Sequence, residues 1–124
     1  MALPDVLSVP FTAPGGETSP ASRGRPIDLV HLAHQTLGDR GIEQEVLAMF
    51  VQQLTMVRDR IARATLAERV LLAHGLRGSA GGIGAFAVAE CAKAIEHDPQ
   101  NLPLLRQLEA RIDEVRDFIA SISR

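Results

Sequence analysis

The chain has no tryptophan and no tyrosine, and only four of its 124 residues are phenylalanine. Its core must therefore be built from Leu, Val, Ile and Ala, which favours interlocking helices over an aromatic-rich sheet. Cys91 is the single cysteine, so an intramolecular disulfide is impossible and a reducing compartment is expected. Its setting, AVAECAKAI, suits a small buried thiol, and only Lys93 lies within a helical turn as a cation. No apolar run approaches the roughly 18 residues of a membrane span. No basic stretch followed by an apolar run reads as a secretory signal, so a cytoplasmic, soluble protein is expected. The formal net charge of −2 lacks the basic balance of a nucleic-acid binder. Arg58, Arg60, Arg63 and Arg69 do cluster, but Asp59 and Glu68 sit among them, which reads as a solvated, salt-bridged helix surface.

At this length the chain holds one domain. Residues 1–25 are dense in Pro, Gly, Ser and Thr and read as a flexible tail, with Phe11 as its one large aromatic anchor. The remainder, residues 26–124, divides into amphipathic stretches. A first short helix is expected from Pro26, with Ile27, Val30, His34 and Leu37 in a stripe and Gly38 as its stop. His31 and His34 make only half a metal site, and no third ligand of suitable spacing follows; both read as surface histidines. A long helix is expected from Asp39 or Ile42 to Ala64, with Leu47, Phe50, Leu54, Val57 and Ile61 facing the core. Thr65-Leu-Ala-Glu68 is a capping box that opens the next helix, expected to end near the paired glycines Gly81 and Gly82. Another spans about Ala85 to His97, with Val88, Cys91, Ala92 and Ile95 inward and Asp98-Pro99 as its stop. Asn101 caps the last, with Pro103 in its first turn and Leu105, Leu108, Ile112, Val115 and Ile119 as its seam. Four amphipathic helices with short connections pack most simply as an antiparallel up-down-up-down four-helix bundle, giving an all-α fold with a short extra N-terminal helix.

One stretch, Ala73 to Ala85 (AHGLRGSAGGIGA), does not read as packing alone. At about 100° per residue, Arg77 lies about 60° to one side of His74 and Gly78 about 40° to the other. Leu72, Leu76, Ser79, Ala80 and Ile83 fall on the opposite side. Gly78 in mid-helix costs about 1 kcal/mol relative to Ala, so its bare surface asks for a reason. An imidazole is mostly neutral at neutral pH and has a ring nitrogen free to attack phosphorus. A neighbouring guanidinium disfavours the imidazolium and can later donate charge-assisted hydrogen bonds to phosphoryl oxygens. Val70 and Leu71, within about 60° of His74, form either an apolar docking patch or the seam with the preceding helix. Ser79 reads as bonded back to a helix carbonyl.

The segment His74-Gly-Leu76-Arg77-Gly78-Ser79-Ala80-Gly-Gly-Ile83-Gly84-Ala85 resembles the signature of histidine-containing phosphotransfer (HPt) domains, roughly H-x-L-K-G-S-[AS]-x-x-[IFL]-G-[AL]. Arginine stands where that family usually has lysine, and a planar fork is not a compact ammonium. The run from Cys91 to the Ile95-Glu96 pair is similar to the family's following helix. The resemblance spans about residues 27–122 and is specific over 73–85. It implies a phosphorelay intermediate that takes a phosphoryl group on His74 from a phospho-aspartate receiver domain and passes it to another. Arg77 then steadies the phosphoryl group and Gly78 gives the partner clearance, with Val70, Leu71 and Gly81 as contact residues. No cofactor and no resident metal are implied, because magnesium comes with the receiver. The partners implied are receiver domains and a hybrid or conventional sensor histidine kinase, and the protein itself is a non-enzymatic monomer without an ATP-binding domain.

Two other readings use the same residues. A helical docking bundle without phosphotransfer would have the same fold. Alternatively, Val70-Leu-Leu-Ala as a strand followed by Gly82-Ile-Gly84-Ala-Phe-Ala87 would mimic the turn of a dinucleotide-binding unit. That second reading lacks further β-rich runs and an acidic residue at the end of a second strand.

Overall fold

The computed structural model describes residues 24–123, and every regular element among them is helical. The tail assigned to residues 1–25 lies outside the described residues except for its last two. Helix α1 spans Leu29–Gln35, α2 Arg40–Arg60, α3 Leu66–Ile83, α4 Phe86–His97 and α5 Leu102–Ile122, with a 3-10 turn at Ile61–Arg63. Val70-Leu-Leu-Ala lies inside α3, so the strand that a dinucleotide-binding turn demands is absent.

The helix starts follow side-chain caps. Thr65 accepts from the Glu68 N–H while the Glu68 carboxylate accepts from the Thr65 N–H, both halves of the capping box. Asn101 caps α5 through the Leu104 N–H, and Asp39 caps α2 through the Ile42 N–H. Helix α1 begins later than Pro26, because the Asp28 carboxylate accepts from the N–H groups of both Val30 and His31 and fixes the first turn there.

The seams expected for α2, α4 and α5 are buried throughout. Helix α1 differs. Ile27 and Leu32 enter the core, whereas Val30 and Leu37 of the expected stripe are exposed, because α1 is a two-turn element lying against α3 rather than a full member of the bundle. The four long helices touch in a closed cycle, α2 to α3, α3 to α4, α4 to α5 and α5 back to α2. Cys91 is buried in that core, and burial pushes its thiol pKa up, which leaves it unreactive.

Two features of α3 depart from expectation. The helix does not stop at Gly81-Gly82; it runs through them to Ile83. Ala80 and Ile83 are buried on its core side, and that packing outweighs the low intrinsic propensity of the glycines. Gly84 ends the helix, with φ +94° and the N–H groups of Gly84 and Ala85 both directed at the Ala80 carbonyl. A Cβ there would also lie 2.9 Å from the Asp28 carbonyl oxygen, and the Gly84 carbonyl accepts from the Asp28 N–H. The second departure is Arg69, expected on a solvated surface and instead buried. Its guanidinium donates to the carbonyls of Ile61, Ala62, Ala64 and Pro99. One arginine thereby satisfies the terminal carbonyls after α2 and ties them to the α4–α5 loop.

Candidate functional site

Helix α3 and helix α4 are joined by two residues, Gly84 and Ala85, so the chain folds straight back and brings Glu96 level with His74 and Arg77. Glu96 follows the buried Ile95 by one residue and is largely covered, with a side chain 15% exposed. Its two oxygens are divided between the two α3 side chains. Oε2 lies 2.8 Å from His74 Nδ1, and Oε1 accepts from Arg77 Nη1 at 3.0 Å. The hydrogen bond from His74, then that from Arg77, holds the Glu96 carboxyl below its ordinary range, against a smaller opposing effect of burial.

The arrangement decides the state of the imidazole. An ionised carboxylate can only accept, so the proton of the neutral ring sits on Nδ1. Nε2 then carries the lone pair, on a side chain 70% exposed. The ring is held at one nitrogen and open at the other. This differs from the simple expectation of a guanidinium set against the imidazole: Arg77 spends its contact on the carboxylate that also holds the ring.

The glycines of this helix divide sharply. A Cβ at Gly75, Gly78, Gly81 or Gly82 would meet nothing within 4 Å, whereas Gly84 is hemmed in. Nothing among the described residues requires Gly78 to be bare. Of the other residues singled out, Leu71 is exposed at 71% and lines a shallow depression with Arg60, Arg63, Ala64 and Glu68. Val70 and Gly81 are half-buried, so Leu71 offers far more apolar surface than Val70. Ser79 bonds back to the Gly75 carbonyl at 3.2 Å, as expected, but it is exposed rather than on the core side. His31 also departs from a plain surface histidine. Its Nε2 lies 3.1 Å from the Gly82 carbonyl and its ring meets Phe86 edge-on. Among the described residues no group of three or more His, Cys, Asp or Glu side chains could hold a metal ion. No helix among them is long and apolar enough to cross a membrane.

A family model described as "Hpt domain" matches residues 45–118, more than half of the chain and all of α3 and α4. The chain belongs to the HPt family. No curated protein and no solved structure matches it. HPt domains serve two-component phosphorelays through a phosphohistidine, interact there with receiver domains and kinases, and have no kinase activity of their own. The matched region of this HPt domain begins within α2 and leaves out α1, in keeping with α1 lying outside the cycle of long helices.

Sequence reasoning did not single out Glu96 as a site residue. It lies 22 positions from His74, and helical spacing relates residues only within one helix. The available signal was indirect: an acidic residue directly after the last core position of α4, on a helix joined to the histidine's helix by a two-residue turn.

Proposed function

We propose that this HPt protein is a phosphorelay intermediate. His74 accepts a phosphoryl group on Nε2 from the phospho-aspartate of one receiver domain and donates it to the aspartate of another. The observation that carries this reading is the half-held imidazole, with Nδ1 fixed on Glu96 and Nε2 in the open. A ring presented this way needs no proton removed from the attacking nitrogen. Arg77 lies beside it as a donor for phosphoryl oxygens, and the bare surface at Gly78 lets a concave partner close over the ring. Leu71 and its neighbour Val70 on one side of His74, with Gly81 about two turns beyond it, supply contact to that partner.

Several finer points belong to the same proposal. The long helices run antiparallel, up-down-up-down, with α1 as the short extra helix. The domain extends over residues 26–124 and acts as a cytoplasmic monomer. It needs no cofactor of its own, and magnesium is brought by the receiver. A hybrid or conventional sensor histidine kinase stands upstream.

The test uses receiver domains carrying labelled phosphoryl groups, incubated with the wild type and with His74→Gln. Acid-labile, base-stable label on the wild type alone supports the proposal. Binding of receivers without any label on the protein would leave only the docking-bundle reading. Gly78→Glu should keep the fold, because the space beside Gly78 is open among the described residues, and should block transfer. Normal transfer by that variant would refute the clearance role.

A further inference from the structure

In the geometry of the site one carboxylate serves two cationic or proton-bearing groups, and that raises a question of charge once His74 is loaded. Before loading, the Glu96 carboxylate faces both the Arg77 guanidinium and the His74 ring, and attack comes from the ring in its neutral form, with Nε2 unprotonated. Transfer forms a bond between the Nε2 lone pair and phosphorus as the bond from phosphorus to the receiver's carboxylate oxygen breaks, and the carboxylate leaves with that electron pair. The proton on Nδ1 stays where it is, between the ring and Glu96 Oε2. The product is an imidazolium phosphoramidate, with a phosphoryl dianion and the Glu96 carboxylate flanking one guanidinium.

Resting on the phosphotransfer reading of His74, we infer that Glu96 competes with the phosphoryl group for Arg77, and so keeps phosphohistidine labile for onward transfer. Two features carry this. Arg77 has a single hydrogen-bond partner among the described residues, Glu96 Oε1 at 3.0 Å through Nη1, so its remaining donors are available to a new acceptor. The Arg77 side chain is also 42% exposed against 15% for that of Glu96, so the arginine is the member of the pair with room to move. Glu96 works in the same direction through the ring: by accepting the hydrogen bond from Nδ1–H it favours the protonated phosphoimidazole, whose nitrogen is the better leaving group. Glu96 is thus a positioning residue that acts through His74 and Arg77 without touching phosphorus.

Glu96→Gln separates these effects from simple orientation of the ring. The amide oxygen can still accept from Nδ1–H, but the side chain no longer carries the charge that draws Arg77 away. The full chain is loaded on His74 with potassium phosphoramidate, which needs no receiver, and decay is followed by phosphorus NMR and intact mass. Glu96→Gln should lengthen the phosphohistidine half-life by roughly fivefold, the scale of a partly exposed ion pair. Adding Arg77→Ala should abolish most of that gain, while Arg77→Ala alone should shorten the half-life by less than about twofold, because Glu96 already holds the arginine back. Equal half-lives for wild type and Glu96→Gln, or a gain that survives Arg77→Ala undiminished, would overturn the competition. Failure of the ring to load at all would overturn it together with the nucleophile assignment. A protein that loads chemically yet exchanges with no receiver defeats the relay role alone, so the two failures are distinguishable.

Discussion

Arg69 and Arg77 stand eight residues apart on helix α3, about two turns, and look alike in sequence. Arg69 is buried and gives its donors to four backbone carbonyls from two segments, the stretch after α2 and the α4–α5 loop. Arg77 is half-exposed and meets one carboxylate oxygen. The first is placed where the chain needs its donors; the second keeps most of its donors for something outside. The same division runs through the glycines, with Gly84 enclosed and Gly78 in open space. The two ends of the helix are built for the fold, and its exposed middle is left unfinished by any requirement among the described residues.

The comparison breaks most visibly if the arginines behave alike. Arg69→Met should cost about 3 kcal/mol, since several carbonyls lose their partner in a buried setting where water does not replace it. Urea denaturation checks this. Arg77→Met should leave the denaturation midpoint nearly unchanged and act on phosphotransfer. A large midpoint shift from Arg77→Met would make that arginine a structural residue too.

The glycines give a smaller effect with opposite signs. Gly84→Ala should destabilise by about 2 kcal/mol, because a left-handed φ is strained for an L side chain and the new Cβ meets the Asp28 backbone. Gly78→Ala should stabilise by about 0.5–1 kcal/mol, the ordinary helix preference for alanine at an unobstructed site. Thermal unfolding of the two variants side by side tests the pair. Destabilisation by Gly78→Ala would mean the bare surface has an internal role after all.

These contrasts also mark what could be read from residues alone. The capping box at Thr65 and Glu68, the Asn101 cap and the core seams of α2, α4 and α5 were legible, because each depends on residues within one helix or its first turn. So was the shared face of His74, Arg77 and Gly78. Arg69 was not, because a buried guanidinium and a solvated one have the same neighbours in sequence when the carbonyls it serves lie on other segments. Glu96 was hidden for the same reason, its partners lying across a helix pair. Gly81 and Gly82 misled because local propensity speaks for ending a helix there, while Ala80 and Ile83 hold it in place from the core. The stripe on α1 failed because its core face, marked by Ile27 and Leu32, is set by packing against α3 on another segment and not by the short helix's own periodicity.

The smallest effect concerns the second ion pair that joins distant helices, Arg58 of α2 with Asp113 of α5. It is bidentate, with Nε to Oδ1 at 2.7 Å and Nη2 to Oδ2 at 2.8 Å, and it holds the Asp113 carboxyl below its ordinary value of 3.8. A carboxyl whose pKa is lower folded than unfolded contributes stability above the unfolded value, and that contribution disappears as pH falls through the folded one. Both side chains are partly exposed, at 33% and 47%, so solvent screening limits the pair to about 0.5 kcal/mol. Asp113→Asn should therefore lower stability by that amount near neutral pH and match the wild type once pH has fallen well below about 3.8. Because this pair lies away from His74 and Glu96, loading the histidine should leave the difference between Asp113→Asn and wild type unchanged. A difference that persisted in acid would assign the contact to packing instead of charge. One that vanished on loading would show that the two carboxylates, unlike the two arginines, do not divide between fold and site.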